Sequence, residues 1–385
     1  MIVSSHTLNP LKLLQMWTFH LPTKIVFGSG QAASLSALPE LVGRRTVVVT
    51  DSVIRKLPAF ETIVQSVNPV AVFDGVQPNP TVANVDALAE LLRKEKAEAV
   101  IAVGGGSALD CAKAAAFLAV TEEAGIRVYH SEGKPVDKKG LPLVTVPTTA
   151  GTGSEVTPIA VLDDEEKNIK APMASPFLYP VCAVVDPALT LSVPLGVTAA
   201  TALDALSHAI EGYWSNNHQP ICDALAKEAA RTIFENLPKV YDNLGDPAAR
   251  ERLSYAALIA GIAFHMPKTA IMHACSFPLS YRANMPHGAA CAFTMEASIR
   301  LNAPFMDGRM EEFAGCCGFA EINEMITQIT RLKKRGGLPC TLKEAGIAPE
   351  LVETLIKESF HPNMKNNPKE VTVEDLQKIY KEVAG

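Results

Sequence analysis

The sequence predicts an α/β half followed by an all-helical half, and three observations predict it. Short β-branched runs alternate with helical stretches from Thr23 to about Pro194. Those runs are almost continuously apolar, as strands covered on both faces of a parallel sheet are. After Pro194 the chain holds only Ala/Leu/Ile/Glu/Lys-rich segments of helical spacing and no convincing strand. The expected organisation is an N-terminal extension over 1–16, an α/β domain over 17–194 and a helical domain over 195–385.

Taken in order, RTVVVTD (45–51), VAVFDGV (70–76), AEAVIAVGGG (97–106), LPLVTVPTT (141–149) and PVCAVVDP (180–187) read as strands bounded by turn residues. Between them TVANVDALAELLRKEKA and ALDCAKAAAFLAV read as helices. Beyond LTLSVPLG come ICDALAKEAARTIFENL, AARERLSYAALIAGIAF, EINEMITQITRLKKRG and TVEDLQKIYKEVA, all helical. No internal repeat or low-complexity tract interrupts them.

Composition narrows the function. A chain of 385 residues, 48% hydrophobic and 20% charged, is expected to be a soluble globular protein with room for two cores. A net charge of −6 without a long basic run excludes the electrostatic footprint of a nucleic-acid or membrane-surface binder and points to a small-molecule partner. No apolar run approaches the roughly 18–20 residues that span a bilayer. The eight cysteines are scattered without a CxxC pair, the pattern of core thiols in a reducing cytoplasm. The first sixteen residues lack the charged and apolar blocks of a secretory signal. They read as an extension ahead of the fold, with a short docking peptide as the sharper alternative.

Two turns stand out in the α/β half. AVIAVGGGSALDCAK runs from strand through Gly104, Gly105, Gly106 and Ser107 into a helix, so free N–H groups could cradle a pyrophosphate. VPTTAGTGSEVTP follows the next strand and offers the hydroxyls of Thr148, Thr149, Thr152 and Ser154. Two such turns at the carboxyl ends of strands fit a crevice for an extended cofactor. Asp51, ending its strand, suits a ribose diol and NAD over NADP, or equally the cap of the following helix.

In the helical half TALDALSHAIEGYWS sets Asp204 and His208 four residues apart, on one helix face. His273 and His287 supply two further imidazoles, with His265 as an unplaced fifth candidate. One carboxylate and three imidazoles form a donor set for a divalent metal such as Fe(II) or Zn(II).

These residues resemble the iron-dependent, or group III, alcohol dehydrogenases. The pattern runs in order through FGSG, VTD, QPNPT, AVGGGSALDCAK, VPTTAGTGSE, DALSHAIEGYWS, MPHGAACAF and NNPKEVTVEDL. The resemblance implies a Rossmann-like nucleotide domain and a helical metal domain in a dehydroquinate synthase-like fold, with the active site in the cleft between them. It implies Asp204, His208, His273 and His287 as metal ligands and Asp51 as the adenosine ribose contact. Gly105, Gly106 and Ser107 become the pyrophosphate cradle, Thr148, Thr149 and Thr152 the contacts near the nicotinamide, and Lys170 a family lysine near the cofactor. NAD(H) and Fe(II) or Zn(II) are the implied cofactors, and a homodimer or larger homo-oligomer the implied assembly.

One position departs from the family pattern, which has a histidine where this chain has Phe277. The final proton is then left to water or a ribose hydroxyl. PKTAIMHACSFPLS and FHPNMKNNPKE resemble a branch that includes phosphonoacetaldehyde reductases, whose relatives reduce sulfoacetaldehyde to isethionate. Lys268 and Arg282 flank His273 and are the candidate contacts for such an anionic aldehyde. The alternatives are a general short-chain alcohol dehydrogenase of the lactaldehyde, propanediol or butanol type and, in another class, a catalytically silent assembly subunit.

Overall fold

The structure, a computed structural model, describes residues 16–384 apart from residue 168. The expected extension therefore lies outside the described residues except for Met16. Eight strands occur: β1 (Lys24–Phe27), β2 (Thr46–Asp51), β3 (Ala71–Val76), β4 (Ala99–Gly104), β5 (Leu143–Pro147), β6 (Ile159–Asp164), β7 (Ile169–Ala174) and β8 (Cys182–Val185). Among them run α1 (Pro58–Val67), α2 (Val82–Lys94), α3 (Gly106–Leu118) and the single-turn α4 (Arg127–His130).

Six strands form one parallel sheet in the order β1-β8-β5-β4-β2-β3. The apolar runs dictate this. In β2 and β4, Val47, Val49, Val100 and Ala102 join the core that α2 and α3 cover. Their neighbours Val48, Ile101 and Val103 enter the opposite core with Phe60 and Ile63 of α1. A strand apolar on both faces fits only between two helical layers. The winding direction reverses between β2 and β4, and a ligand crevice is expected outside the carboxyl ends at such a reversal.

Three strands escaped the sequence reading. β1 is a four-residue edge strand, half-exposed, with no run to detect. β6 and β7 form an antiparallel hairpin apart from the main sheet. Pro172 within β7 argues against a strand unless it lies at an edge, as it does here.

The helical half comprises α5 (Leu195–Trp214), α6 (Pro220–Asp242), α7 (Pro247–Phe264), α8 (Ile271–Ala283), α9 (His287–Phe293), α10 (Met295–Asn302), α11 (Arg309–Cys316), α12 (Ile322–Arg335), α13 (Val352–Glu358) and α14 (Val373–Glu382). Its core gathers Leu203, Leu206, Ile210, Ile233, Leu253, Ile271 and Phe313. α5 is buried on nearly every side, including Asp204, His208 and Glu211. Polar groups taken from water cost several kcal/mol unless partnered, so α5 demands partners at those three positions. Among the described residues no helix is long and apolar enough to cross a membrane.

Candidate metal centre and nucleotide cleft

α5, α8 and the short α9 bring the four predicted donors together. His273 Nε2 lies 3.0 Å from His208 Nε2 and 3.8 Å from Asp204 Oδ1. His287 Nε2 lies 3.8 Å from the same carboxylate oxygen. The approach of α9 depends on Gly288: a Cβ there would sit 2.2 Å from the carbonyl oxygen of Ala200 and 3.0 Å from the Asp204 Cβ. Only a residue without a side chain lets α9 lie this close to α5.

Three residues that the sequence reading passed over complete the centre. Glu211 accepts the His273 Nδ1 proton at 2.6 Å and the Met272 N–H at 2.6 Å, which turns Nε2 of His273 toward the other donors. Phe264 stacks on His208, with ring centroids 4.0 Å apart and planes within 10°. Cys291 sits with its Sγ 3.7 Å from His287 Nε2. Positions 204, 208 and 211 share one helix face, and a buried acid on that face was the available signal for Glu211. His265 is not part of the centre: Nδ1 lies 2.7 Å from the Ile262 carbonyl and Nε2 3.0 Å from that of His20.

The cluster fits a divalent cation. Asp204 Oδ1 is buried with no hydrogen-bond partner among the described residues, although two imidazoles face it. Asp204, His273, His287 and Cys291 offer donor atoms all within 4.8 Å of one another. Burial pushes Asp204 up to about 6 and His287 down to about 3, and it drives His208 well below its ordinary range. At His273 burial works in the same downward direction, yet Cys291 and Glu211 outweigh it and hold the imidazole well above its ordinary value. A largely buried site that gathers one carboxylate and three imidazoles has the donor set of a divalent-metal site.

Across the cleft lie the two glycine-bearing turns. Asp51 Oδ1 accepts the N–H groups of Val53 and Ile54 at 2.8 and 2.9 Å, so one oxygen caps the following turn. Its Oδ2 would stand 3.7 Å from a Cβ on Gly104, and the carboxylate therefore borders the glycine turn as well. A Cβ at Gly106 would press on Thr152 Cγ2 at 2.9 Å, and one at Gly105 would touch Thr149 Oγ1 at 3.5 Å. The two turns thus pack on each other. The Thr148 N–H donates to the Gly104 carbonyl at 3.0 Å, while the Thr148 hydroxyl is buried without a partner among the described residues. Ser154 is already engaged with Asp110 at 2.5 Å and Lys113 at 2.7 Å.

A cavity of about 320 Å³ runs between the halves. Gly106, Ser107, Thr152 and Lys170 line it from the α/β side, and Asp204, His208, His273 and His287 from the helical side. Lys170, carried by the unforeseen β6–β7 hairpin, donates to Asn79 Oδ1 at 2.8 Å and pairs with Asp163 at 3.4 Å. Burial pushes its ammonium down despite that carboxylate. Lys268 and Phe277 also line the cavity. Arg282 does not, which corrects the sequence expectation. It is exposed and forms a two-pronged pair with Glu358 at 2.9 and 2.5 Å, its guanidinium over Tyr281. Nine residues at about 100° each set it on the opposite side of α8 from His273, whereas Phe277, four residues on, shares the His273 face.

A crevice at the sheet's reversal point, closed on its far side by a buried four-donor cluster, is the arrangement of a metal-dependent, dinucleotide-linked oxidoreductase. Residues 22–187 match the iron-containing alcohol dehydrogenases and residues 198–384 the C-terminal part of the same family. The chain belongs to the iron-containing alcohol dehydrogenase family. It is 33% identical over 383 residues to the NAD-dependent methanol dehydrogenase of Bacillus methanolicus, covering 95% of this chain and 99% of that one. To the 1-propanol dehydrogenase of Salmonella typhimurium it is 32% identical over 389 residues, covering 96% and 100%. Among solved structures, the sulfoacetaldehyde reductase of Bifidobacterium kashiwanohense in complex with NAD+ superposes with a TM-score of 0.91 at 41% identity, covering 96% of this chain and 99% of that one. A 1,3-propanediol oxidoreductase gives 0.90 at 30% identity, covering 96% and 100%.

Proposed function

We propose that this enzyme reduces a short aldehyde bearing an anionic group, sulfoacetaldehyde or phosphonoacetaldehyde, with NADH. The observation that carries the anionic substrate is Lys268. It is exposed, lines the cleft as well as a neighbouring surface pocket, and its ammonium has no hydrogen-bond or ion-pair partner among the described residues. Lys113 and Lys170, by contrast, are tied to Asp110 and Asp163. The 41% identity to a sulfoacetaldehyde reductase supports the same reading.

In this reading Asp204, His208, His273 and His287 hold the metal, and Glu211 fixes the His273 tautomer. Gly104, Gly105, Gly106 and Ser107 receive the pyrophosphate at the start of α3, and the free oxygen of Asp51 receives the adenosine ribose. Thr148, Thr149, Thr152 and Lys170 border the nicotinamide end. When bound, the divalent ion polarises the carbonyl oxygen and the reduced nicotinamide supplies hydride. Phe277 walls the cleft with an apolar ring that excludes water from the reacting carbon and has no proton to give. The eight free thiols suit a cytoplasmic enzyme, and we place it there as a homo-oligomer.

The test is NADH consumption by protein reconstituted in parallel with Fe(II) and Zn(II), offered sulfoacetaldehyde, phosphonoacetaldehyde, lactaldehyde, propanal and butanal. A preference of about a hundredfold in kcat/KM for an anionic aldehyde, about 2.7 kcal/mol, is expected. Equal or faster turnover of the neutral aldehydes would instead favour the general alcohol dehydrogenase that the methanol and propanol relatives exemplify.

A further inference from the structure

The segment HPNMKNN (361–367) has no task in the reading above, yet it reaches the cleft. Asn363 lines the cavity and donates from Nδ2 to Thr269 Oγ1 at 2.9 Å, while Asn366 donates to the Thr269 carbonyl at 2.8 Å. The segment is itself held from behind. The Asn216 amide donates to the Asn367 carbonyl at 2.7 Å, and the Asn302 and Asn367 side chains exchange two bonds of 2.8 Å. Two carboxamides thus clamp Thr269, the residue that follows Lys268.

Lys268 carries a left-handed backbone, with φ of 67°. For a residue with a Cβ that conformation costs of order 1–3 kcal/mol and persists only where the surroundings impose it. The Lys268 N–H donates to the Phe264 carbonyl at 2.6 Å, and the Asn363 and Asn366 amides hold the residue that follows. Donors in the clamp are also unspent: Thr269 Oγ1 accepts from Asn363 and retains its own hydroxyl proton, and Asn363 retains a second amide proton. Lys268, Thr269 and Asn363 all line the cleft whose other wall is the candidate metal cluster, Lys268 as an exposed residue that also borders a neighbouring surface pocket.

We propose that Lys268, Thr269 and Asn363 form the seat for the charged end of the substrate, and that the seat selects a tetrahedral monoanion. The inference rests on the anionic-aldehyde reading. Three donors match the three oxygens of a sulfonate, and a single unpaired cation balances one negative charge. A phosphonate offers the same oxygens but carries a second charge above neutral pH, and the seat has no second cation for it.

The variants are Lys268→Gly, which relieves the backbone strain, Thr269→Val, which keeps the shape, and Asn363→Asp, which leaves the Thr269 hydroxyl a carboxylate to donate to. Each is assayed with sulfoacetaldehyde, phosphonoacetaldehyde and propanal at pH 8, and each is titrated as its NADH complex with ethanesulfonate as a non-reacting probe. The wild type is expected to favour sulfoacetaldehyde over both others. Each variant should lower the sulfoacetaldehyde-to-propanal ratio of kcat/KM at least tenfold, mainly through KM, and weaken ethanesulfonate binding to match. A wild type that prefers sulfoacetaldehyde, with variants that keep its ratio and its ethanesulfonate affinity within twofold, would overturn the seat and leave the substrate reading standing. A wild type without preference for either anionic aldehyde would overturn both. A wild type favouring phosphonoacetaldehyde would overturn the monoanion assignment.

Discussion

At the scale of single residues, the proposed metal cluster depends on one carboxylate outside the predicted donor set. Glu211 holds His273 by a 2.6 Å bond, and partners of this kind typically change metal affinity by about 10–100-fold. Glu211→Gln should therefore weaken metal binding by that factor and leave NADH affinity intact, as chelator competition and nucleotide fluorescence would read; unchanged metal affinity would reduce Glu211 to a packing residue. The protons on the cluster set a second expectation. Asp204 titrates near 6 because of its burial, and His273 is held well above its ordinary value. A metal must displace the proton held by His273 and, below about pH 6, that of Asp204 as well, so its apparent affinity falls as pH falls, by about tenfold per pH unit for each proton released, most steeply below pH 6. A chelator titration flat across that range would contradict it. Asp204 and His208 were legible because their spacing is itself geometry. Glu211 shared that geometry and was overlooked for want of a partner in sequence. Arg282 was misread because nearness along the chain ignores which side of a helix a residue faces.

At the scale of elements, what was legible followed from strong periodicity. β2, β4, β5 and β8 are buried along almost their whole length and announced themselves as apolar runs. The β6–β7 hairpin is partly exposed, β7 lacks a clear alternation and contains a proline, and its signal was correspondingly weak. It nonetheless delivers Lys170 to the cleft, so a weakly patterned element carries a predicted functional residue. The approach of α9 to α5 shows how a single position can decide a site. Gly288→Ala would place a carbon 2.2 Å from the Ala200 oxygen and force the helices apart. A loss of about 1–3 kcal/mol in denaturant unfolding is expected, with a fall in bound metal. Wild-type metal content in a folded variant would mean that the position of His287 does not depend on this contact.

At the scale of the whole molecule, the four donors stand on α5, α8 and α9, while the glycine turns stand at the ends of β4 and β5. In the proposed reading each cofactor site thus stands mainly on one half of the molecule. Metal at about a thousandfold over its Kd is expected to add about 4.1 kcal/mol of stability. Hydrogen exchange should show its protection concentrated in α5, α8 and α9, with that of NAD+ concentrated at 104–107 and 148–152. Identical protection maps for the two ligands would argue against separate cores. The halves meet where Gly153 faces Gly261, so closely that a Cβ on Gly153 would lie 2.5 Å from the Gly261 Cα. Backbone rests on backbone there, flanked by the Phe264 ring and a Val156 methyl, 3.3 and 3.0 Å from where Cβ atoms on Gly153 and Gly261 would stand. In any rigid rotation of the halves that preserved this contact, displacement would grow with distance from it, so atoms beside it would hold their spacing while those at the rim swept the widest arc.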